Sequence, residues 1–64
     1  MTDDIDIYRA AHEYIKQYGD DADIQASMMA DKMLERGSME GRALWLQILE
    51  AIDELRVLMR QKLH

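Results

Sequence analysis

The stretch Ser38 to Leu63, SMEGRALWLQILEAIDELRVLMRQKL, decides the fold. Trp45, Ile48, Ile52, Leu55 and Met59 recur at spacings of three, four, three and four, the period of one face of an α-helix. Leu44, Leu49, Ala51, Leu58 and Leu63 widen that face on both sides. Ser38 stands where a side-chain oxygen can cap the first free amides, and Glu40 follows near the positive end of the helix dipole. Gly41, inside the first turn, costs about 1 kcal/mol relative to alanine. It lies one turn before Trp45, so the spacing predicts close contact there with a neighbouring helix or with the indole.

Two shorter helices precede this one. Asp3 or Asp4 caps the first, Asp6 sits in its first turn, and Ile7, Ala11, Tyr14 and Tyr18 form its apolar stripe, flanked by Tyr8, Ala10 and Ile15. Gly19 ends it by supplying a left-handed residue. Asp20 or Asp21 starts the second, whose stripe is Ala22, Ala26, Met29 and Met33, widened by Ile24, Ala30 and Leu34, and Gly37 closes it. The reading is all-α: a single domain over 1–64, with short, short and long helices at about 4–18, 21–36 and 39–62 and antiparallel neighbours.

Lengths then set an expectation about assembly. At 1.5 Å per residue the short helices span roughly 22–24 Å and the long one roughly 36–38 Å, an overhang of about 13 Å. A 64-residue chain buries only about 60% of its unfolded surface. The chain has no cysteine, so no disulfide or thiolate-metal staple is available. A second copy is the simplest cover for the overhang, giving a bundle completed by homodimerisation. The expected seam is Ile48, Ile52, Leu55, Leu58, Met59 and Leu63.

Charge narrows the partners. The formal net charge is −5, and residues 1–36 hold nine acids and four bases, whereas 37–64 hold four of each. Such a surface repels phosphate backbones and anionic lipid, so neither nucleic acid nor membrane is expected as a partner. A helix-turn-helix reading fails for the same reason, since Lys32 and Arg36 are outnumbered on the second helix by Asp21, Asp23, Asp31 and Glu35. The longest apolar run, Ala43 to Leu46, is far too short to span a bilayer, and the acidic start lacks the basic region of a signal peptide. A soluble, cytoplasmic protein is expected.

Each pattern that could carry chemistry also has an ordinary structural role. Asp20, Asp21 and Asp23 suggest a calcium loop, but counting from Asp21 the required glycine and glutamate positions hold Ala26 and Lys32, so capping is the better reading. His12-Glu13 opens like the zinc-protease pattern, yet the second histidine position holds Lys16. Glu50, Asp53 and Glu54 lack the Glu-x-x-His pairs of a carboxylate metal bundle and read as a solvated face. No catalytic residue, metal site or cofactor is expected, and the protein is read as a non-enzyme. Met28, Met29 and Met33 fit either a core or an adaptable docking groove. The expected function is an acidic protein–protein interaction module, with a regulator or inhibitor of a larger machine, antitoxin-like or phage-type, as the alternative.

The order Asp4-Ile-Asp-Ile-Tyr-Arg-Ala-Ala-His12, Tyr18-Gly-Asp-Asp-Ala22, Leu34-Glu-Arg-Gly-Ser-Met-Glu-Gly41 and Trp45 resembles short helical proteins of unknown function from alphaproteobacteria. Gly37-Ser38 stands here where that pattern has Gly-Asp. The resemblance covers residues 4–55 and implies a helical fold and a bacterial cytoplasmic setting; it carries no activity.

Overall fold

The computed structural model describes residues 4–62, and among them every regular element is helical. Helix α1 (Asp4–Tyr18) leads through a 3-10 turn (Gly19–Asp21) into α2 (Ala22–Glu35), and α3 (Met39–Lys62) follows. The bounds read from the spacing agree to within one residue. Helical residues run without a break from Asp4 to Glu35, so α1 and α2 form one arm bent at Gly19, which takes φ +60°.

The joint between α2 and α3 is set by two residues. Gly37 adopts φ +77°, its N–H donates to the Leu34 carbonyl at 3.0 Å, and the Ser38 N–H donates to the Met33 carbonyl at 2.8 Å. This glycine closure satisfies the last carbonyls of α2. Ser38 then caps α3, its Oγ accepting from the Gly41 N–H at 3.2 Å. A cap of this kind contributes about 1 kcal/mol.

Helix α3 is the common partner. α1 and α2 each pack mainly on it and touch each other little, so the side-by-side pairing expected for the two short helices gives way to an arm wrapped on a rod. Met33 lies against Gly41 at one end and Asp23 against Arg56 at the other, which makes α2 and α3 antiparallel. A Cβ placed on Gly41 would stand 2.8 Å from the Met33 sulfur and 2.8 Å from Ser38 Oγ. The close neighbour expected there is therefore a side chain of α2, not the indole.

The buried core is small and rich in alanine: Ile7, Ala11, Ala22, Ala26, Ile48, Ala51 and Ile52. Ala11, Ala22 and Ala26 let the arm come close to α3, but each brings little apolar area. Ile52 is the one large side chain in the described residues that is wholly enclosed. Tyr14, Ile15, Leu44, Trp45, Leu49 and Leu55 close the core's edge half-buried. Tyr14 stacks at a tilt against Trp45 (centroids 5.2 Å apart) and against Tyr18 (5.1 Å), within the range where aromatic pairs attract. Ile24 and Leu34, read as widening the core stripe of α2, lie instead on its open side, while Ala22, Ala26 and Ala30 are buried and Met33 packs on Gly41.

This core makes stability sensitive to one residue. Ile52→Ala is expected to lower the unfolding free energy by about 2–5 kcal/mol, a large share of the roughly 5–15 kcal/mol of a typical domain. Leu34→Ala, at a half-exposed position, is expected to cost less than about 1 kcal/mol. Urea melts of the two variants check the contrast, and equal losses would show that the core is not where it is placed.

Candidate interaction surface at the end of α3

Arg56 marks where the arm stops covering the rod. Its guanidinium donates to the Gly19 carbonyl at 2.8 Å and pairs with Asp23 at 3.4 Å, so it ties the bend of the arm to α3. The pair is partly exposed and contributes at most about 1 kcal/mol by itself; its effect is to fix where the bend sits. Asp23 is thus held by a base on another helix, while Asp21 occupies the start of α2 without a side-chain capping bond. The expected aspartate cap is replaced by the 3-10 turn, through which the Ala22 N–H donates to the Gly19 carbonyl.

Beyond Arg56, α3 continues as helix for six residues, about 9 Å. Val57, Leu58 and Met59 are 52%, 54% and 49% exposed. Consecutive helical residues point about 100° apart, so three exposed in a row mean that the rod is open on most of its sides there. Met59 borders a shallow depression with Ile15, Gly19, Asp20 and Arg60, and Val57 and Leu58 border another with Glu54.

The seam read from the sequence is divided by these positions. Ile48 and Ile52 are buried by the chain's own arm, and a surface already covered has nothing left for a second molecule. Leu55 packs half-buried at the core's edge. Leu58 and Met59 are open, and Leu63 lies outside the described residues. Val57, which the periodic pattern leaves off the apolar face, is open as well. The sequence offered one signal for it: a β-branched apolar residue in a stretch otherwise polar on that side, beside Asp53, Glu54, Arg60 and Gln61.

On the neighbouring face, the Tyr8 hydroxyl of α1 donates to Glu54. That hydrogen bond, then desolvation and the charges of Glu54, Asp4 and Glu50, push the Tyr8 phenol above its ordinary value of 10.0. Burial raises Tyr14 as well, with Tyr18 adding to it. Asp4, Tyr8, Gln47, Glu50 and Glu54 line a shallow acidic groove. It sets three carboxylates beside the phenol, and no histidine, lysine or cysteine is among the residues that line it. His12, Glu13 and Lys16 lie exposed along α1. Among the described residues no three of histidine, cysteine, aspartate and glutamate stand close enough to hold a metal ion. The described helices include none long and apolar enough to cross a membrane.

The methionines are distributed between two environments. Met33 packs against Gly41 and Met29 is half-buried, whereas Met28 is 49% exposed. Comparison with family models, with curated proteins and with solved structures finds no match.

The Tyr8–Glu54 bond can be read by titration. Tyr8 and Tyr14 are expected to ionise above the usual tyrosine value, followed by the ultraviolet absorbance of the phenolate. Glu54→Gln, which keeps an acceptor but removes the charge, is expected to bring one of the two late tyrosines back toward 10.0. The sign for stability follows: the bond's contribution is present below the unfolded value and is lost as pH rises through the higher folded value. An unchanged titration in Glu54→Gln would contradict the contact.

Proposed function

We propose that this chain is a small non-enzymatic interaction protein, a three-helix unit completed by homodimerisation through the exposed end of α3, working in the bacterial cytoplasm. One observation carries the reading: Val57, Leu58 and Met59 are all about half exposed on a helix that outruns its arm. Each such side chain left in water forgoes part of the roughly 1.5–3 kcal/mol that full burial yields. Among the described residues the core encloses one large side chain fully, so that loss is a large fraction of the available stabilisation. A second copy covers both ends with one self-complementary surface. The dimer leaves the acidic surfaces of α1 and α2 free to meet another protein, and the net charge of −5 disfavours nucleic acid and anionic membrane in that role.

Light scattering coupled to size exclusion is expected to give twice the 7.5 kDa chain mass at tens of micromolar. Leu58→Asp is expected to halve that mass while leaving the helical circular dichroism in place, because Leu58 is open in the single chain. A monomer at that concentration without the substitution would sink the reading.

A second reading, a regulator that binds a larger machine, is favoured by Ile24 and Met28. They lie one turn apart on α2 and are 56% and 49% exposed, so they present adjacent apolar side chains away from the core. A partner protein retained by the tagged chain and lost on Ile24→Glu with Met28→Glu is the expected outcome. Retention of that partner by the double variant would remove these residues from the account.

A further inference from the structure

We infer that the two copies pair with their α3 helices antiparallel, crossing at Val57 and Leu58; this rests on the dimer reading above and adds its direction. The charges along α3 change sign across the apolar patch. Before it stand Glu50, Asp53 and Glu54, all exposed, and after it the sequence places Arg60, also exposed, and Lys62. Arg56 lies between them and is paired with Asp23 and the Gly19 carbonyl at the bend of the arm, whereas Glu54, which accepts from the neutral Tyr8 hydroxyl, keeps an uncompensated charge.

Direction decides which charges meet. Packed helices lie about 8–10 Å apart, close to the Debye length of about 8 Å at physiological salt, so charges at the same level along the two rods interact through partial screening. A parallel pair sets Glu50, Asp53 and Glu54 level with the same three acids of the second copy, and Arg60 level with Arg60. That is like charge on like charge at both ends of the patch, which disfavours docking. An antiparallel pair centred between Val57 and Leu58 sets Arg60 of the second copy level with Leu55, one residue from the level of Glu54 and two from that of Asp53, on the flank of the seam that Asp53 occupies. Opposite charges then flank the apolar contact on both sides, and Val57 of each copy meets Leu58 of the other.

The absence of cysteine makes the direction measurable. Glu54→Cys and Gln61→Cys are made separately, mixed in equal amounts and oxidised gently, with molar mass followed alongside. In the antiparallel pair, residues 54 and 61 of different copies are level, while two copies of either one are at least about 10 Å apart along the rods, beyond the roughly 4.4–6.8 Å that a disulfide bridges. Nearly all disulfide in the mixture is therefore expected to join the two different variants, with little formed by either variant alone. Efficient self-linking by each variant alone would show a parallel pair, overturning the direction and leaving the dimer. Dimer mass without any disulfide would place the contact elsewhere and overturn the crossing point. Monomer mass throughout would overturn the dimer reading and this inference with it.

Discussion

The close approach of Ala11, Ala22 and Ala26 to Ile48 and Ile52 is the contact on which the rest of this molecule depends. Alanine keeps helix axes close and loses no side-chain entropy on packing, which suits a chain too short to enclose many large residues. The same choice limits how much apolar area the fold removes from water. An alanine contact seats the arm along α3 but leaves the methionines and leucines of the outer turns only partly covered. Small core and open apolar surface are therefore two sides of one packing solution.

Arg56 converts that packing into a boundary. By holding both the Gly19 carbonyl and Asp23, it fixes the bend of the arm at one level of α3. Before that level one face of α3, with Ile48, Ala51 and Ile52, is buried in the core shared with α1 and α2, and the turns after it are largely open. The protruding turns of α3 thus follow from where the bend is anchored as much as from the length of the helix. The Tyr8–Glu54 bond links the first turns of α1 to the same part of the rod, close to where the open surface begins.

The helix boundaries were legible because they are written in local chemistry: glycine at positive φ after Tyr18 and Arg36, and a serine cap before Met39. The excess length of α3 was legible from counting residues. Which apolar residues the core would take was only partly so. Periodicity marks a face, and it does not say how far along that face the arm extends, so Ile48 and Ile52 were grouped with residues beyond the bend. Tyr8 and Glu54 stand 46 positions apart, and Arg56 and Gly19 stand 37 apart, so no local pattern links either pair. A 3-10 turn, Gly19–Asp21, stands where the aspartate cap was expected, the kind of connector frequent at helix ends.

The turns of α3 past Arg56 are proposed as the place where two chains join. Amide hydrogen exchange of this region, measured over a wide range of protein concentration, tests it most directly, because association protects the joined surface by mass action. Protection at Val57, Leu58 and Met59 that rises with concentration, while that of Ile48 and Ile52 tracks only global unfolding, is the result this account requires. Exchange at the protruding turns that is equally fast at every concentration would contradict it.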